Sequence, residues 1–343
     1  MELSNEELQL ALGGYDFDAD INGGSTSYHD YDIAGLSDYK VIEDIKGGGV
    51  KLSPTSNHPK GVIDSAPLEC VCKKSCNGNI CDSKKKKTCI DDSKINETLK
   101  LYYESIFNKK NSDIFDVISE LINHHSVETE SCLLLHPEYI NFAQNKGLSK
   151  SHIESYIEQY FLPRGPRDMI NGKWPWLSNH DIDTVLNRLV VCYPDFQNIG
   201  FQMIDFKTHG TLYNYQFAEQ LKKDKKRFGV VINTDVSSGN GIHWFCMFYD
   251  FSSSDVLNIE FFNSSGRGPT KEIQELINKL SGEYKVKTYI NRTAHQKKDS
   301  ECGVYALFYI WARLKNISID KLFNHIIKDE QMEQFRKYLF RKC

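Results

Sequence analysis

Cys302 heads an apolar run, Cys302-Gly-Val-Tyr-Ala-Leu-Phe-Tyr-Ile-Trp-Ala-Arg-Leu314, and the polar stretch Gln296-Lys-Lys-Asp-Ser-Glu301 leads into it. The run reads as a helix, and the N-terminus of a helix presents backbone N–H groups and a positive dipole end to whatever sits there. A thiol so placed, with an imidazole beside it, loses its proton more readily than the ordinary thiol pKa of about 8.5 allows, and the thiolate is the nucleophile. His243 is the candidate base. Asn263 follows it by twenty positions (263 − 243) and is a candidate to hold the imidazole in one tautomer. Gln296 precedes Cys302 by six positions (302 − 296), where its amide, with the Cys302 N–H, can form an oxyanion hole. Singly, each has a plainer reading: a buried core cysteine, or a turn asparagine before Ser264-Ser-Gly-Arg-Gly-Pro269. Jointly they describe acyl transfer through a thioester.

Elements must bring these groups together. Arg227-Phe-Gly-Val-Val-Ile-Asn233 and Ile242-His-Trp-Phe-Cys-Met-Phe-Tyr249 read as strands separated by the turn residues Ser237-Ser-Gly-Asn-Gly241, which puts His243 at a strand start. Val256-Leu-Asn-Ile-Glu-Phe-Phe262 is the next strand, and Asn263 ends it. Ile182, Val185, Leu186 and Leu189 recur at helical spacing behind a cap at Ser178 or Asn179. Closing helices are predicted around Ile319 to Ile327 and Gln331 to Phe340. Upstream, Leu99, Tyr102, Tyr103 and Ile106, then Ile114, Val117, Ile118 and Leu121, predict two amphipathic helices. Strands and helices that interleave without strict alternation point to an α+β fold around a central mixed sheet. Three regions are predicted: an extension over 1–93, low in complexity and disordered, a helical arm over 94–157, and a catalytic domain over 158–343.

The order His-Trp, a strand ending in Asn or Asp about twenty residues on, then Gln, then Cys-Gly six residues further, resembles the SUMO-deconjugating cysteine proteases and adenain, the adenovirus protease. The phrases Asn233-Thr-Asp-Val-Ser-Ser-Gly-Asn-Gly-Ile-His-Trp244, Ile259-Glu-Phe-Phe-Asn-Ser-Ser-Gly266 and Glu301-Cys-Gly-Val-Tyr305 resemble the polyprotein-processing branch found in African swine fever virus. The likeness runs over roughly 128 to 343, and a giant-virus homologue is expected. It implies a papain-like cysteine protease fold of the adenain and SUMO-protease type, with Cys302 as nucleophile, His243 as base, Asn263 as orienting residue and Gln296 as oxyanion donor. SUMO proteases mostly carry Asp where this chain has Asn263, which sides the chain with the viral branch. The resemblance also implies that Trp244 and Trp176, the latter in Trp176-Leu-Ser-Asn179, roof a slot that admits only Gly-Gly before the scissile bond.

At 343 residues, 40% hydrophobic, 26% charged and with a net charge of −4, the composition is that of a soluble globular protein with no general affinity for nucleic acid or anionic membrane. The start Met1-Glu-Leu-Ser-Asn-Glu-Glu7 lacks a signal peptide's basic and apolar regions, and a host-cytoplasmic site is expected, at the viral factory, with the virion as a second destination. No cofactor is expected. Cys70, Cys72, Cys76, Cys81 and Cys89, interleaved with lysines, match no standard two-plus-two zinc spacing; a zinc knuckle, a Lys-rich linker with reactive thiols and a nucleic-acid or core-tethering patch stay open. Gly13-Gly14, Gly23-Gly24 and Gly47-Gly48-Gly49 are candidate self-cleavage points. The expected function is an endopeptidase that cleaves viral structural polyproteins after Gly-Gly during virion maturation. Its alternatives are a deconjugase removing SUMO, ubiquitin or a related modifier from host proteins, and a non-enzymatic binding module. His295, beside Gln296, is the rival base.

Overall fold

The computed structural model describes residues 88–343, apart from 112, 167–168, 170–174, 254–255 and 342. The glycine pairs of the extension and Cys70, Cys72, Cys76 and Cys81 lie outside the described residues.

Among the described residues five helices come first: α1 (Ser93–Phe107), α2 (Ile114–His124), α3 (Glu130–Leu134), α4 (Pro137–Asn145) and α5 (Lys150–Tyr160). Asp92, Asp113, Thr129 and Ser149 cap α1, α2, α3 and α5 by accepting from backbone N–H groups of the first turn. The apolar positions seen in the sequence, Leu99, Tyr103, Val117, Ile118 and Leu121, share one core with Tyr139 and Ile153. Cys89 belongs to that core at 1% exposure, and its N–H donates to Glu130. Cys89 is thus part of a folded core.

The second part opens with α6 (Asn179–Cys192), capped as expected by Ser178, which forms a reciprocal box with Asp181. There follow β1 (Phe196–Met203), the short α7 (Phe206–His209) and α8 (Phe217–Leu221), β2 (Arg227–Asn233), β3 (Trp244–Asp250), β4 (Leu257–Phe262), α9 (Lys271–Glu283), β5 (Val286–Ile290), α10 (Cys302–Leu314), α11 (Ile319–Asn324) and α12 (Asp329–Leu339). The strands form one mixed sheet in chain order: β1 and β2 are parallel, β2, β3 and β4 antiparallel, β4 and β5 parallel. β2, β3 and β4 are apolar almost throughout, because both faces are covered. Val230, Ile232, Phe245, Met247 and Ile259 pack with Ile273, Leu276 and Leu280 of α9. The alternate positions face α10.

α10 is buried at twelve of its 13 residues, as a helix apolar all round must be. Gly229 lets it close on the sheet, since a Cβ there would lie 3.2 Å from Ile310. Phe262 stacks on Tyr309 with ring centroids 4.5 Å apart. Glu260, fully buried on β4, accepts from the Tyr309 hydroxyl at 2.7 Å and from Arg313 Nε at 2.7 Å and Nη2 at 3.0 Å. The strand that ends at Asn263 is thus pinned to the helix that begins at Cys302.

The two parts are tied at the C-terminal end. Cys132 of α3 is disulfide-bonded to Cys343, Arg341 pairs with Glu158 at 2.6 Å, and the Arg341 N–H donates to the Pro163 carbonyl at 2.8 Å. Among the described residues no helix is long and apolar enough to cross a membrane.

Candidate active site

His243 sits one residue before β3, on a loop built by side chains of its own ends. Asn233, the last residue of β2 and 2% exposed, accepts through Oδ1 from the Asp235 and Ile242 N–H groups at 2.9 and 3.0 Å. Asp235 in turn accepts from the Gly241 N–H at 3.0 Å, and the Thr234 N–H donates to the His243 carbonyl at 2.8 Å. This is the polar motif that preceded His243 in the sequence, and its job is to fix where the imidazole stands.

Asn263 follows β4 and is 4% exposed. Its Oδ1 lies 2.8 Å from His243 Nε2 and also accepts from the Ser265 N–H at 3.1 Å and the Ser265 hydroxyl at 2.8 Å. A backbone N–H can only donate, so the atom facing His243 is the amide oxygen. Nε2 must therefore carry a proton, and Nδ1 of the neutral ring is left with its lone pair. The turn after Asn263 needs glycine: Gly266 has φ +72°, and a Cβ there would come within 2.9 Å of the Arg292 carbonyl and the Ala294 nitrogen. Asn291, fully buried, donates through Nδ2 to the Asn263 carbonyl at 2.9 Å. Burial pushes the His243 pKa down, and nearby Arg267 adds to this, while the bond to Asn263 opposes it.

Cys302 begins α10 at 2% exposure. Burial raises its thiol pKa, with Glu301 adding to the rise; the backbone N–H groups of Trp244, Gly303 and Cys302 itself point at the sulfur and pull the pKa back down. The Trp244 contact places the thiol against the residue next to His243. Gly303 permits the approach, because a Cβ there would meet Leu177 Cβ at 3.2 Å and Trp244 Cδ1 at 3.3 Å. The Trp244 indole donates to the Leu177 carbonyl at 3.0 Å, and Trp176, the residue before Leu177, is half exposed. Behind the thiol, Glu301 and Arg336 form a completely buried ion pair at 2.9 Å, and Arg336 also donates to the Ser300 carbonyl at 2.8 Å.

Gln296 is docked on the Asn263 loop. Its N–H and that of His295 donate to the Ser264 carbonyl at 3.0 and 2.8 Å, and its Oε1 accepts from the Ser264 hydroxyl at 2.7 Å. Its Nε2 donates to the Lys298 carbonyl, which can only accept, so that end of the amide is the nitrogen and it keeps a second hydrogen. Asp329 clamps the same loop by accepting from the Lys297 and Lys298 N–H groups, both at 2.9 Å, and from the Tyr305 hydroxyl at 3.1 Å. His295 is turned away from this work: it is 1% exposed, its Nδ1 accepts from the Ile327 N–H at 3.1 Å, and burial lowers its pKa to about 4.

Sequence reasoning did not single out Ser265, Asn291, Asp329 or the Glu301–Arg336 pair as supports of the site. Only Glu301 carried a signal, as a charged residue directly before an apolar helix. Asn291 and Asp329 act through partners about thirty positions away, and Ser265 through Asn263, two positions before it.

A thiol heading a core helix on a mixed sheet, next to an imidazole fixed by an amide at the adjoining strand end, defines the cysteine-protease class. Residues 188–343 match the Ulp1 protease family, C-terminal catalytic domain. The chain is 34% identical over 234 residues to the SUMO-1 cysteine protease of African swine fever virus, which spans 62% of this chain and 83% of that one. The crystal structure of the African swine fever virus protease superposes with a TM-score of 0.60 at 28% identity, covering 80% of this chain and 96% of the other. A protein of Acanthamoeba polyphaga mimivirus named for thiol-protease activity is 28% identical over 174 residues, 48% of this chain and 57% of that one. The chain belongs to the Ulp1 family of proteases and is a cysteine protease.

Proposed function

We propose that this protease cleaves protein chains after Gly-Gly and matures viral structural polyproteins during virion assembly in the host cytoplasm. The observation that carries the reading is the His243–Asn263 bond beside the Trp244 N–H that reaches the Cys302 sulfur. Burial lowers the His243 pKa and raises that of the Cys302 thiol, and both shifts favour the uncharged forms. His243 Nδ1 takes the thiol proton as the sulfur attacks the glycine carbonyl carbon. A C–S bond forms, and the carbonyl electron pair moves to oxygen, where Gln296 Nε2–H and the Cys302 N–H receive it. The intermediate collapses, the C–N bond breaks, and the imidazolium returns its proton to the leaving amine. Water, deprotonated by His243, then attacks the thioester and releases the thiolate, which recovers its proton.

The Gly-Gly reading assigns to Trp244 and Trp176 the roles of their counterparts in the family, two indoles that narrow the approach to the thiol and reject a Cβ. The likeness to a relative named as a SUMO-1 protease favours a second reading, removal of a ubiquitin-like modifier, which uses the same chemistry. Purified protein and its Cys302→Ala variant, incubated with Gly-Gly-containing capsid-precursor peptides and with SUMO and ubiquitin C-terminal fusions, separate the two. Cys302-dependent cleavage of the precursors after Gly-Gly supports polyprotein processing. Preference for a modifier fusion transfers the assignment to deconjugation, and cleavage that survives Cys302→Ala overturns both.

A further inference from the structure

Two histidines and a carboxylate converge in the helical region, far in sequence from the catalytic residues. His125 caps the C-terminus of α2, His136 immediately precedes α4, and Glu138 lies in the first turn of α4. The His125 and His136 rings face each other with centroids 4.2 Å apart, and one ligand atom from each of the three residues lies within 4.8 Å of the other two. His125 Nδ1 is 4.0 Å from Glu138 Oε2.

Three features separate this cluster from a chance meeting of polar surface groups. His136 stands at the N-cap of α4 but makes no capping bond, so local helix formation does not explain its type. Its Nδ1 is shut off from solvent and has no hydrogen-bond partner among the described residues. A buried ring nitrogen of this kind ordinarily finds a donor, an acceptor or a metal. His125, by contrast, has its other nitrogen, Nε2, 3.0 Å from the Tyr102 hydroxyl of α1. That is the outer hydrogen bond by which metal-bound imidazoles are usually oriented.

We propose that His125, His136 and Glu138 bind a divalent transition-metal ion of the zinc type. Imidazole nitrogen and carboxylate oxygen suit such an ion, which takes them at about 2.0–2.2 Å in a tetrahedral array, so its donors stand about 3.3 Å apart. The three side chains reach that spacing by moving roughly an ångström inward, and water completes the fourth position on the exposed Glu138 side. The ion joins α2 to α4 and, through Tyr102, to α1, and its effect is on the stability of the helical region. It supplies nothing to the thiol chemistry.

The test uses the full chain carrying Cys302→Ala, stripped with chelator and titrated with Zn2+ and with Co2+. Expected are a rise in Tm with Zn2+ and bound Co2+ whose visible bands lack thiolate-to-metal charge transfer. His136→Asn and Glu138→Gln are each expected to weaken that binding by about tenfold or more. Because the Glu138 side chain is 70% exposed, Glu138→Gln keeps the test decisive should His136→Asn fold poorly. The proposal is overturned if Zn2+ leaves Tm unchanged, if all bound Co2+ shows thiolate charge transfer, as the Cys70 to Cys89 segment would give, or if both variants bind as the parent does.

Discussion

Asn263 decides the chemistry of His243 by offering only an acceptor to Nε2. A carboxylate in its place would stabilise the imidazolium, so exchanging amide for acid changes the pH response without changing the geometry. The base must be neutral to take the thiol proton, and burial lowers its pKa. The acid limb of kcat/KM is therefore expected below pH 6.5 in the wild type, and Asn263→Asp should move it upward; pH-rate profiles on a Gly-Gly peptide check both. His295 makes a separate contribution at this scale. Its folded pKa is about 4, against an ordinary value of 6.5, so the unfolded chain binds a proton first as pH falls. The stabilisation is complete above pH 6.5 and is lost between there and about pH 4, about 3 kcal/mol for this one group. Urea denaturation at pH 7 and 4.5 should show the loss, and His295→Gln should reduce it.

The elements act by holding loops rather than by supplying reactive groups. β4 carries both Glu260, which grips α10, and the turn into Asn263, so nucleophile and orienting residue are set against each other by one strand. Gly266 lets that turn cross the chain near Arg292. In Gly266→Ala, positive φ and a backbone clash would coincide, and kcat on the peptide substrate should fall with a loss of stability of about 1–3 kcal/mol. The Glu301–Arg336 pair secures the other side of Cys302. Arg336→Met leaves a buried carboxylate without its partner, which costs about 3–5 kcal/mol, whereas the double change Glu301→Gln with Arg336→Met should recover part of it. Thermal denaturation of the single and double variants measures the difference.

At the scale of the whole molecule, the helical region is fastened to the protease at its last residues. The Cys132–Cys343 cross-link closes a loop with a sequence separation of 211, for which chain entropy gives about 5 kcal/mol, the upper end of what such links contribute. Thiol reductant, or Cys132→Ser, should lower Tm by several degrees, and the Arg341–Glu158 pair, half solvated, should do little to offset it. Calorimetry with and without reductant tests this.

His243, Asn263, Gln296 and Cys302 stood out in the sequence because each is marked by its neighbours: a strand start, a strand end, a polar lead-in and an apolar helix. The strand runs, the Ser178 cap and the core positions of α1 and α2 were legible for the same reason, since period and punctuation are local properties of a chain. The sheet order, the Oδ1 contact that settles the histidine tautomer, the meeting of Asp329 with the Gln296 loop, the link from Cys132 to Cys343 and the facing of His125 and His136 were not. Each joins residues whose proximity depends on how finished elements pack, and burial of apolar faces, not any pattern readable along the chain, chooses that packing.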